Sequence, residues 1–248
     1  LEKMSRSDLF ILMTTGMCTV AGTVFALYVL VLNDLIPNIA GHLILSSIVS
    51  VFAGVMFSQI IIPSEGAHNL NFTIKSEKFL NMIDAITSGT TSGLKVSLNV
   101  IAMLVVALAM VYLINSFLSI FPGTGSEPIT LQSVLGHLFA PIMWLTGMEW
   151  NESKIAGGLM GIKTILNEFV AFIELSKLNS EMLSVRAQII TVYALSGFAN
   201  LGSLGIMIAG LASIAPARRE EILELAPKSL ISGTLATLLT ASIIGIVI

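Results

Sequence analysis

Residues 159–176 read LMGIKTILNEFVAFIELS and hold Asn167 and Glu168 side by side within an otherwise apolar run. A carboxylate held at the centre of a bilayer costs about 3 kcal/mol on insertion scales. Such a group faces a water-filled cavity or a partner, and it marks a substrate or ion path. A packed polar pair between helices, or a solvated surface carboxylate, would be the plainer explanation. The membrane-like character of the rest of the chain favours the first.

The chain has 248 residues, 55% of them hydrophobic and 11% charged. Soluble domains carry about 25% charged residues. The apolar runs are long and do not alternate, so the chain reads as an all-α integral membrane protein in contact with the lipid bilayer. Cys18 is the only cysteine, which excludes an intrachain disulfide. His42, His68 and His137 lie far apart, without the spacing of a metal site. A net charge of −3 gives no signal for a nucleic-acid partner. The chain opens Leu1-Glu2-Lys3, with neither an initiator Met nor a signal peptide. It is expected to be the later part of a longer protein.

Five spans are expected within one domain over 1–248: 9–32, 39–62, 96–121, 187–214 and 230–248. The first is odd at its centre, where Thr14, Thr15, Gly16, Cys18, Thr19, Gly22 and Thr23 are small or hydroxylic. That stretch fits tight helix packing. It fits equally a helix break that frees carbonyls and hydroxyls to hold an ion. Residues 79–95 are amphipathic and fit the interface or the entry to the next span. Trp144 and Trp150 suit a membrane interface. Gly157, Gly158, Gly161 and Lys163 interrupt the first half of 151–176, with the polar pair in its middle. A re-entrant hairpin explains this, because irregular backbone at membrane depth is tolerated only against protein or a wet cavity. Loops are expected at 33–38, 64–78 and 122–128.

Basic residues set the orientation. Lys3 and Arg6 precede the first span, Lys75, Lys78 and Lys95 follow the second, and Arg218, Arg219 and Lys228 precede the last. The reading places the start in the cytoplasm, the hairpin entering from outside and the C-terminus outside. Lys154, Lys177 and Arg186 then also lie outside. At a constant offset of 177, Ser7 pairs with Ser184, Thr14 with Thr191, Thr19 with Ser196 and Thr23 with Asn200. The two segments run in opposite directions. Inverted repeats with interrupted helices mark secondary transporters, with the site at the repeat interface.

The runs Asn167-Glu168-Phe169-Val170-Ala171 and Gly197-Phe198-Ala199-Asn200, followed by Ser203, resemble the concentrative nucleoside transporter family. Residues 16–24, GMCTVAGTV, are similar to that family's interrupted fourth span. The likeness covers the whole chain, in order, as the C-terminal portion of a bacterial member. It implies a homotrimer in the cell inner membrane that takes up nucleosides by symport with sodium or a proton. It also implies that Glu168 bonds the ribose hydroxyls from the hairpin, supported by Asn167, and that Asn200 and Ser203 do so from the seventh span. Phe198 and Val24 would pack near the ligand, and Thr19 and Val20 would offer oxygens to sodium. Ribose hydroxyls both donate and accept, so a carboxylate and an amide hold two at once.

The chain departs from the family at Ile162, where Gln is usual, at Gly202, where Ser is usual, and at Thr19, which keeps the hydroxyl of the usual Ser. The expected absence of the first spans and first hairpin removes the Gln-Thr-Glu motif that reads the base. Purine or pyrimidine preference is therefore not legible. A carrier of another small polar solute on the same scaffold is the alternative function. An enzyme is not expected, because the lone Cys18 sits in an apolar helix and no His lies near Glu168 in sequence. No cofactor is expected beyond the coupling ion.

Overall fold

The computed structural model describes residues 1–2, 4–22, 24–64, 79–121, 129–178 and 182–248, which hold helices and turns and no strand. Residues 65–78 of the expected loop at 64–78, and the expected loop at 122–128, lie outside the described residues. So do Lys3, Thr23, His68, Lys75, Lys78 and the side chains of Lys95 and Asn99. The α-helices are α1 (Arg6–Cys18), α2 (Phe25–Leu32), α3 (Ile39–Ile61), α4 (Met82–Leu118) and α5 (Leu131–Leu145). They continue with α6 (Trp150–Ile165), α7 (Glu168–Lys177), α8 (Val185–Leu195), α9 (Leu201–Ile214) and α10 (Arg219–Val247).

Short polar side chains start six of these helices, α1, α4, α5, α7, α8 and α9, by accepting from otherwise orphaned N–H groups. Ser5 takes Asp8 N at 3.1 Å, and Asn81 takes Asp84 N at 2.8 Å. Thr130 and Ser133 form a reciprocal capping box ahead of α5. Among the described residues, Ile39–Ile61 and Pro216–Val247 are long and apolar enough to cross a membrane.

Helix α10 is the central post, packed against α1, α3, α8 and α9. Its Ser229, Ser232, Thr237 and Thr240 are buried against these neighbours, and of the four Ser232 Oγ has no hydrogen-bond partner. Ser50 of α3 and Thr240 share a bond of 2.9 Å, while Ser46 of α3 meets Ser196 at 2.5 Å. Around Glu168 the core is built from Tyr28, Met160, Phe172, Tyr193 and their neighbours.

The structure divides two of the expected spans. The 9–32 segment is two helices, α1 and α2, separated by residues 19–24. The 187–214 segment is likewise α8 and α9, separated by residues 196–200. Helices α1 and α8 end at Cys18 and Leu195, which keep the same offset of 177. Two other spans begin earlier than expected. Residues 82–95 are the start of α4, and α10 begins at Arg219 and runs through Pro227.

The glycines of 151–176 do not break α6. They allow α5 to approach it backbone to backbone. A Cβ on Gly157 would lie 2.7 Å from Gly136 O and 2.8 Å from Ala140 N. One on Gly161 would overlap Leu135 Cβ. The break falls later, at Leu166 (φ −94°, ψ −90°) and the extended Asn167.

Candidate functional site

Two asparagines restart interrupted helices in the same way. Asn167 caps α7 by accepting from Val170 N at 2.9 Å. Asn200 caps α9 by accepting from Ser203 N at 2.7 Å. Each is extended in backbone, as a cap requires. Capping commits the Oδ1 of Asn200 and leaves its Nδ2 to donate elsewhere.

That Nδ2 donates to Glu168 Oε2 at 2.9 Å. Tyr28 Oη donates to the other oxygen, Oε1, at 2.6 Å. Glu168 is 3% exposed and stands as the first residue of α7, where the helix dipole favours negative charge. A buried carboxylate therefore receives donors from α2 and from the 196–200 break, each aimed at a different oxygen. Tyr28 itself is enclosed by Phe169 and Phe172, with ring centroids 6.2 and 5.1 Å away. A carboxylate has about four acceptor sites, so these two side-chain donors do not exhaust Glu168.

The two helix breaks touch. Phe198 N donates to Thr19 O at 3.2 Å. A Cβ on Gly197 would lie 3.2 Å from the carbonyl oxygens of Met17 and Cys18 and would overlap Thr237 Cγ2. Only glycine lets the second break sit against the end of α1. Thr19 Oγ1 donates back to Thr15 O at 3.0 Å, and Val20 N donates to Ser47 Oγ at 3.1 Å. One lone pair of Thr19 O is thus used, while its other lone pair and those of the hydroxyl remain for a cation. Val24 packs on the core that includes Tyr28.

The structure therefore brings Glu168 and Asn200 into direct contact, with Ser203 joined through the cap and Asn167 adjacent. Phe198 and Thr19 form a second contact. Two residues escaped the sequence reading. Tyr28 sits among apolar residues of α2 and gives little local signal. Lys163 appeared only as an interruption, although a cation in an apolar segment warrants the same attention as Glu168. It is 0% exposed. Its Nζ donates to Ala194 O at 2.8 Å and to Thr237 Oγ1 at 3.4 Å.

Known proteins resemble this chain over nearly its whole length. The family model for the C-terminus of Na+ dependent nucleoside transporters matches residues 42–245. YutK of Bacillus subtilis, a transporter, is 38% identical over 250 residues, covering 99% of this chain and 60% of that protein. The nucleoside permease NupC of Helicobacter pylori is 36% identical over 253 residues, covering 100% of this chain and 59% of its own. A solved structure of CNTnw in an inward-facing substrate-bound state superposes with a TM-score of 0.86 at 36% identity. It covers 98% of this chain and 58% of that one. The chain thus spans about 60% of the length of the curated bacterial relatives it matches.

Proposed function

This chain belongs to the Na+ dependent nucleoside transporter family, a family of membrane transporters and not of enzymes; from that membership we propose that it supplies the carboxylate side of a nucleoside site in a cation-coupled carrier. The observation that carries the reading is the buried Glu168, bonded by Asn200 from the helix break and by Tyr28. Its unused lone pairs suit the vicinal hydroxyls of a ribose, which donate to a carboxylate in charge-assisted bonds. Ser203 and Phe198 complete the sugar side, Val24 packs near the ligand from the core around Tyr28, and Asn167 caps the start of α7. The segment 151–176 acts as a re-entrant hairpin with Asn167 and Glu168 at its tip.

Thr19 and Val20 provide backbone and hydroxyl oxygens, the hard ligands that sodium takes, at the break where helix carbonyls are freed. A proton is the other coupling ion. The transporter works as a homotrimer in the bacterial cytoplasmic membrane, with its C-terminus outside. The long α4 supports an assembly role: it presents Leu98, Ile101, Val105, Leu113 and Phe117 as exposed apolar side chains.

The test is uridine uptake by the full-length protein in proteoliposomes under an imposed sodium gradient, and separately under a proton gradient. Uptake driven by one of the two identifies the ion. No uridine uptake under either gradient overturns the reading.

A further inference from the structure

Lys163 reaches out of α6 into a fully buried position. Its ammonium has three protons to donate and no capacity to accept. One proton goes to Ala194 O, at 2.8 Å. That carbonyl belongs to the last turn of α8 (Val185–Leu195), where no intrahelical donor remains. A second goes to Thr237 Oγ1, at 3.4 Å. Thr237 gives its own proton to Thr234 O at 3.0 Å, so towards Lys163 it can only accept. Thr237 also forms the floor under Gly197, since a Cβ there would overlap Thr237 Cγ2. One cation thus joins α6, the end of α8 and the face of α10 beneath the 196–200 break.

That break positions Asn200, whose Nδ2 binds Glu168. Among the described residues, Lys163 and Glu168 are the buried charged side chains, 0% and 3% exposed and of opposite sign. A lone buried charge is far more costly than a compensated one.

Building on the nucleoside-site reading, we propose that Lys163 is a positioning residue of that site. Its ammonium clamps the end of α8 and so sets Asn200 against Glu168, while it balances the carboxylate's charge. Lys163 does not touch the nucleoside; it acts through the break and through the field at Glu168.

Two measurements on the full-length protein test this. The first is uridine affinity by calorimetry for wild type, Lys163→Met and Lys177→Met. Lys177 is an exposed lysine further along the same segment, paired with Glu174 at 2.8 Å, and it controls for loss of a charge. Lys163→Met should weaken uridine binding by tenfold or more, Lys163→Arg should recover part of the loss, and Lys177→Met should stay within twofold of wild type. A folded Lys163→Met protein with wild-type affinity overturns the proposal.

The second measurement is thermal stability of Lys163→Met, Glu168→Gln and the double variant. Charge balance predicts that Glu168→Gln restores part of the melting temperature and yield lost in Lys163→Met. Additive losses overturn it, and this readout decides even if the single variant fails to fold. If wild type itself binds no uridine, the nucleoside reading fails, and the stability cycle still judges the link between Lys163 and Glu168.

Discussion

Glu168 is the residue on which the chemistry turns, and its two partners allow separate tests. Glu168→Gln keeps the shape and removes the charge. A hydrogen bond to a charged group contributes about 1.5–3 kcal/mol, and each 1.4 kcal/mol is about tenfold in affinity. With two ribose hydroxyls affected, uridine affinity should fall by roughly a hundredfold or more, read by calorimetry on the full-length protein. Unchanged affinity removes Glu168 from the site. Tyr28→Phe is subtler, because it withdraws the 2.6 Å donor and leaves one carboxylate oxygen without it. An unsatisfied buried group costs about 1–3 kcal/mol. The variant should therefore melt lower and bind uridine about tenfold more weakly, and a wild-type melting temperature would show that Tyr28 is merely a neighbour.

At the scale of elements, the matched breaks after α1 and α8 decide the architecture. Each ends its helix at an equivalent place, Cys18 and Leu195, and the freed backbone of one is used by the other through Phe198 N and Thr19 O. The contact depends on a missing side chain. Gly197→Ala would push a methyl group into Thr237 and against two backbone carbonyls that belong to a packed helix end. Overpacking of this kind costs about 1–3 kcal/mol. We expect a lower melting temperature in detergent together with weakened uridine binding, because Asn200 lies three residues on. Gly157 plays a different part, holding α5 against α6 and leaving the helix intact, and small residues serve helix contacts in membranes in this way.

For the whole molecule, the distribution of lysine and arginine predicts which ends face which side. Asp34, Glu220 and Ile248 are exposed in the structure and probe three connections. Cysteines placed singly at these positions in a full-length background with all other cysteines replaced should divide cleanly when intact cells meet a membrane-impermeant maleimide. Positions 34 and 248 should label, and position 220 should label only after permeabilisation. Labelling of 220 in intact cells, with 248 protected, would invert the topology. The thiol of Cys18 is buried and donates to Ser50 O at 3.1 Å, so within this chain it is shielded from the maleimide.

Much of this was legible in the chain itself. Abundant apolar residues and few charges dictate membrane helices, because hydropathy is a local property and needs no partner. The runs around Asn167-Glu168 and Gly197–Asn200 identified the family; residue chemistry alone pointed to Glu168, and Asn200 followed from the resemblance. The stretch 14–23 could not be resolved, since small and hydroxylic residues serve tight packing and helix breaks alike. Gly157 was misread as an interruption for the same reason: from sequence a glycine does not reveal whether it breaks a helix or admits a neighbour. Only the tertiary structure could pair Tyr28 with Glu168, 140 positions apart, or Lys163 with Ala194 and Thr237. Whether a buried polar group is satisfied depends on donors and acceptors delivered by distant segments, and that is settled by packing.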